Sequence, residues 1–108
     1  MSLDNGRVKL ITQATSSVTG VTAHAYEGIV TTVALTTAAA ASETFTITNK
    51  KVKRITQIQV ALQYAGAGAP IVRVQAQARG SFSVTITNVH PSVALNALAK
   101  VHFNIIHN

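Results

Sequence analysis

Phe45-Thr46-Ile47-Thr48-Asn49 and its near-copy Val84-Thr85-Ile86-Thr87-Asn88 decide how this 108-residue chain folds. Each phrase alternates a bulky apolar residue with threonine, the period-2 pattern of a strand that buries one face. Each ends on an asparagine, a residue suited to a turn. Five matched positions fit either a duplicated hairpin or convergence on good strand sequence.

The same rhythm continues outward. Thr56, Ile58, Val60 and Leu62 alternate with Gln57, Gln59 and Gln63; Val72, Val74, Ala76 and Ala78 oppose Arg73, Gln75, Gln77 and Arg79. Val8, Leu10 and Thr12 share one face of Arg7 to Gln13, and Ile29, Val33 and Leu35 oppose Val30 and Thr32. Between these runs lie turn signals: Asn49-Lys50-Lys51, Ala65 to Pro70, Gly80, and Asn88 to Asn96, while the Ser/Thr-rich Ala14 to Gly20 reads as a loop or a weak strand. The alanine-rich piece Ala38 to Ser42 is too short to hold a helix and reads as a link between strands. The pattern predicts an all-β chain: one antiparallel β-sandwich of seven to eight strands, jelly-roll-like, over residues 1–108. Residues 1–6 are read as an extended N-terminal arm. Val72, Val74, Phe82, Val84, Ile86, Val101, Phe103 and Ile105 are the expected core.

Length supports one domain, burying roughly 60–70% of its unfolded surface. Hydrophobic residues make up 47% of the chain, enough for that core. The apolar runs fall far short of the ~18 residues of a spanning helix, so no membrane is expected as partner. The first residues lack the charged and apolar regions of a signal peptide. The chain has no cysteine, which excludes disulfides and thiolate zinc sites.

Charge is sparse and one-sided. Nine Lys and Arg against three acids give +6, yet only 11% of residues are charged. Designed monomer surfaces carry about 25–35%. No charge lies between Lys9 and Glu27, between Arg54 and Arg73, or between Arg79 and Lys100. Such surface suits a protein covered by copies of itself or by a larger assembly.

No catalytic signature is present, and neither an enzyme nor a cofactor is expected. The three acids, Asp4, Glu27 and Glu43, are dispersed, and nothing resembles a nucleophile elbow or a zincin helix. Gly66 and Gly68 lead through Pro70 into a strand, not a helix N-terminus, so they read as a flexible connection rather than a phosphate loop. His24, His90, His102 and His107 are read as surface or interface histidines with no metal, since His102 and His107 fall on opposite faces of a regular strand. The sharpest electrostatic feature is Lys50, Lys51, Lys53 and Arg54. At a hairpin end it forms a solvated basic turn or an electrostatic docking turn for an acidic neighbour. Nucleic-acid modules of β type add aromatic stacking platforms, whereas Phe45, Phe82 and Phe103 lie on the apolar sides of their strands.

Gly28-Ile29-Val30-Thr31-Thr32 leads into Ala34 to Ala40 and the first threonine phrase. Later come Gly80 to Asn88, Ala94-Leu95-Asn96 and Lys100 to Ile106. In this order Gly28 to Ile106 resembles small β-rich virion proteins of tailed bacteriophages, including capsid decoration (cement) proteins and fibre domains. The resemblance implies a structural protein on the capsid exterior. Its partners would be the major capsid protein and copies of itself in a homotrimer, where composition alone allows a dimer equally. The trimer interface would be rich in Ala, Thr and Val, with the basic turn outside it. A tail fibre or spike module for host adhesion is the alternative, and a small nucleic-acid-binding β-barrel, supported only by net charge, is the second. The resemblance carries over no ligand residue, and the basic turn departs from its usual uncharged look.

Overall fold

The computed structural model describes residues 8–106, so the expected arm at residues 1–6 and His107 lie outside the described residues. The strands are β1 (Val8–Thr12), β2 (Val21–Thr22), β3 (Glu27–Thr31), β4 (Ser42–Thr48), β5 (Gln57–Tyr64), β6 (Pro70–Ala78), β7 (Ser81–Asn88) and β8 (Ala99–Ile106), with no helix among the described residues. They form two four-stranded sheets, β1-β3-β8-β5 and β2-β4-β7-β6. Both sheets are mixed. β1 runs parallel to β3 and β2 parallel to β4, while the other four pairings are antiparallel. The expectation of an all-antiparallel fold is corrected at these two edges. Each N-terminal strand reaches its neighbour across a sheet change, so no hairpin forces it antiparallel.

The two sheets share one core, giving a sandwich-like fold. Phe82 of β7 and Phe103 of β8 meet across it edge to face, with ring centroids 5.7 Å apart. Phe82, Val84, Ile86, Val101, Phe103 and Ile105 are buried as expected. Val72 and Val74 face the core but remain half-buried, because β6 is an edge strand. Gly28, paired with Phe103, lies where any Cβ would strike the phenylalanine ring. A side chain at residue 28 would push that ring out of the core.

Two faces differ from the simple alternation. Along β6 a bulge between Val74 and Ala76 shifts the register. Val72 and Val74 point inward before it, whereas afterwards Ala76 and Ala78 are exposed and Gln77 turns in beside Phe82. In β3 the buried residues are Gly28 and Val30 and Ile29 is on the outer side, since Gly28 and Val30 pair with the core residues Phe103 and Val101. Beyond β3 the chain follows the 95–99 segment through Thr32 N–H to Ala99 O and Leu35 N–H to Ala97 O.

The two repeated phrases lie on paired antiparallel strands, meet where Phe45 stands opposite Val84, and run from there in opposite directions. A local two-fold through that pair relates them, so their asparagines fall at opposite ends of the sheet. Asn49 N–H donates to Gly80 O and Asn88 N–H to Ala41 O, the equivalent bond each time. Both side chains are fully buried. Asn49 Nδ2 donates to Ala25 O, and its Oδ1 accepts from Lys51 N–H. Asn88 Nδ2 reaches the carbonyls of Thr37, Ala38 and Val93, and its Oδ1 accepts from the Ala69 and His90 N–H groups. Removing either amide strands buried backbone groups, and Asn88 serves more of them. Asn88→Ala should cost about 4 kcal/mol and Asn49→Ala about 2 kcal/mol in urea unfolding. Equal losses, or the reverse order, would refute this account of the two ends.

Candidate docking surfaces at the two ends

One end of the sandwich-like fold collects five of the eight basic residues among those described. Lys50, Lys51, Lys53 and Arg54 all lie on the β4–β5 connection, which folds as two successive turns closed by Val52 N–H to Asn49 O and Thr56 N–H to Lys53 O. The second turn is braced further. Lys53 N–H donates to Thr56 Oγ1, and the inward Gln77 amide donates to both Lys53 O and Thr56 O. Arg54 and Ile55 project at its tip, with Ile55 90% exposed. Lys51 Nζ stands 5.0 Å above the Tyr26 ring, a cation–π contact. Lys50 N–H donates to His24 Nδ1.

Arg79 joins this group from the β6–β7 turn, sharing a shallow hollow with Lys53, Arg54 and Ile55. Its neighbour Gly80 has φ 89°, the conformation that the second central position of a type II turn requires. The four expected docking residues therefore share one end, and Arg79 and His24 are additions. Arg79 had a sequence signal: Arg-Gly between two strands marks a turn, and antiparallel pairing of β4 with β7 puts that turn beside the end of β4.

The connections at the opposite end are uncharged, with Lys100 and Glu43 on the strands beside them. This end is built from three connections, residues 32–41, 65–69 and 89–98, none of which contains Asp, Glu, Lys or Arg. They are stitched together by Leu95 N–H to Thr37 O, Val89 N–H to Ala69 O and Ala67 N–H to Asn96 Oδ1. Tyr64 Oη accepts from Asn96 N–H and donates to Ala67 O. Val89, Val93 and Leu98 are exposed on this end, and Ile71 stands just inside β6. Glu43, near this end, keeps one buried carboxylate oxygen without a hydrogen-bond partner among the described residues, as does the Thr37 hydroxyl.

The outer sheet faces are polar and carry isolated charges: Arg73 on one, Glu27 and Lys100 on the other. Ser42 bonds Thr87 and Thr44 bonds Thr85, hydroxyl to hydroxyl at 2.8 Å, across the outer face of β4 and β7. The outer face of the other sheet has an open depression of about 640 Å³, where Glu27, Gln59, His102 and Asn104 surround Ile29 and Ala61. His90 Nδ1 accepts from the Ser92 and Val93 N–H groups, fixing its own loop. No three His, Asp or Glu side chains come together to hold a metal ion among the described residues. Phe45, Phe82 and Phe103 are all core. No family model, curated protein or solved structure matches the chain.

Gln77 holds the basic tip from inside the sheet, so its loss should free that turn. Gln77→Ala should increase the rate of trypsin cleavage after Lys53 and Arg54 several-fold, as read by mass spectrometry. Cleavage elsewhere should change little. An unchanged rate would mean that the turn is rigid without the amide.

Proposed function

We propose that this chain is a structural virion protein, a capsid decoration or cement protein that bridges neighbouring coat subunits through buried area and polar contacts. The observation that carries this reading is the contrast between its ends. A body 41 Å in its longest dimension has an uncharged, apolar end of three stitched loops and a basic end of braced turns. A bridging protein needs two such contact surfaces held at a fixed separation. The apolar end suits burial against a protein surface, and the basic end suits an acidic patch on a second subunit. The resemblance of Gly28 to Ile106 to phage virion proteins points the same way.

Strand order supports the jelly-roll part of this reading. β3-β8-β5 faces β4-β7-β6, and the chain changes sheet between β3 and β4, β4 and β5, β5 and β6, and β7 and β8. That is the order of a jelly roll reduced by one strand from each sheet, with the β6–β7 hairpin closing the gap. β1 and β2 are additions at the edges.

Many weak contacts on a multivalent shell reinforce one another, since each bound contact raises the effective concentration of the next. Particles that bear this protein should hold hundreds of copies by gel densitometry and should lose heat or osmotic resistance when stripped of it. A few to a few dozen copies would place it at the tail as a fibre module. Equal survival of stripped and intact particles would remove the cement role. Retardation of DNA that falls steeply with added salt would support nucleic-acid binding instead.

A further inference from the structure

Of the four sheet edges among the described residues, three are guarded against pairing with another chain. β1 has five residues and carries Lys9, and β2 has only two residues. β6 begins at Pro70, carries Arg73 and is bulged between Val74 and Ala76. Short length, proline, charge and bulges are the devices by which edges avoid pairing. β5 has none of them. Gln57-Ile58-Gln59-Val60-Ala61-Leu62-Gln63-Tyr64 keeps eight consecutive register pairs with β8, without a charge, a proline or a bulge.

The core is also least covered on this side. Ile58, Val60, Leu62 and Tyr64 face inward but are only half-buried, as are Val72 and Val74 of β6. On the central strands Val84, Val101 and Phe82 are at most 1% exposed. Among the described residues no strand pairs with the outer edge of β5, and a half-covered apolar seam runs along the same strand.

We infer that β5 pairs antiparallel with β5 of a second copy across a two-fold axis, joining two four-stranded sheets into one of eight strands. The edge is self-complementary. Core residues must face core residues, so only registers that preserve the alternation are open. The register centred on Ala61 puts Ala61 against Ala61, Gln59 against Gln63, Val60 against Leu62 and Ile58 against Tyr64 of the other copy. The outer face then has two amide pairs flanking a close alanine contact, and the inner face has two apolar pairs over the exposed seam. No charge of either sign meets its own copy, because none lies between Arg54 and Arg73. A foreign strand would fit the backbone equally, but only this chain supplies both halves of the side-chain match.

The contact is modest in size. Eight residues span about 27 Å, and a strip of that length buries on the order of 800 Å² in total, below the roughly 1,200 Å² of stable specific interfaces. The association is therefore weak and concentration-dependent. It does not depend on the capsid reading and is tested on the purified chain.

The experiment combines sedimentation with cross-linking, which the cysteine-free chain permits without background. The wild-type chain should pass from monomer to dimer between about 1 and 500 µM. Ala61→Lys, at an exposed position, should weaken the dimer at least tenfold and keep the far-ultraviolet spectrum. Ala61→Cys should form an intermolecular disulfide under mild oxidation, since directly opposed Cβ atoms lie about 5 Å apart. Gln57→Cys should not, because its copies lie some 27 Å apart along the paired strands. A chain that stays monomeric throughout, a trimer indifferent to Ala61→Lys, or equal cross-linking of both cysteine variants would overturn the inference.

Discussion

Two buried carboxamides hold this molecule at its ends. Connections between strands must satisfy their own N–H and C=O groups wherever they leave water, and a loop has no ladder to do so. Asn49 and Asn88 supply that missing ladder from inside the sheet. Each accepts the N–H of the residue two positions on, and each sends its amide into a neighbouring loop. Through its amide and backbone bonds Asn49 ties residues 23–26 and the Arg79-Gly80 turn to the basic end; Asn88 ties all three uncharged loops. A repeated five-residue phrase thus has a structural cause. The same strand-then-asparagine device is used twice, at opposite ends of one antiparallel pair.

The scarcity of charge also has a local explanation. Threonine and serine hydroxyls bond one another across β4 and β7, so an exposed face meets water through hydroxyl groups rather than ammonium or carboxylate groups. Of the ten charged residues among those described, five share one end and the other five are distributed over the strands. Lys50, Lys51, Lys53, Arg54 and Arg79 gather at one end, while the loops at the other have none. The surfaces are thus unlike: hydroxyl-rich across β4 and β7, lined by amide, imidazole and carboxylate groups on the other sheet, basic at one end and apolar in the loops of the other.

What was legible in the sequence follows from how far each feature depends on distant residues. Strand identity was legible because alternation is local. Gln57 to Tyr64 alternates in the structure as in the sequence, and Phe82, Val84 and Ile86 fall in the core. The parity of β3 was not legible, since Val30 rather than Ile29 is buried by virtue of its pairing with Val101 seventy-one residues away. The β6 bulge was hidden for a similar reason: Val-Gln-Ala-Gln-Ala alternates perfectly as text, and only the register against β7 turns Gln77 inward. Parallel pairing of β1 and β2 leaves no mark in strands of five and two residues. Of the basic end, the contiguous Lys50–Arg54 segment could be read directly, whereas Arg79 and His24 arrive through pairing and turn geometry.

The polarity of the molecule has a consequence for how it meets any larger surface. Charge acts over about a Debye length, near 8 Å at physiological salt, whereas apolar burial acts only at contact. The basic end therefore senses an acidic surface first and orients the body before anything touches. The uncharged loops are neutral to that field and are carried outward or along the surface, depending on where the acids lie. Binding strength then depends on the contacts that follow, in which Ile55 at one end and Val89, Val93 and Leu98 at the other are the exposed apolar groups available for burial. Orientation from one end and adhesion from both would suit the bridging role proposed above. Each asparagine holds the loops of its own end, and the paired strands β4 and β7 set the distance between them.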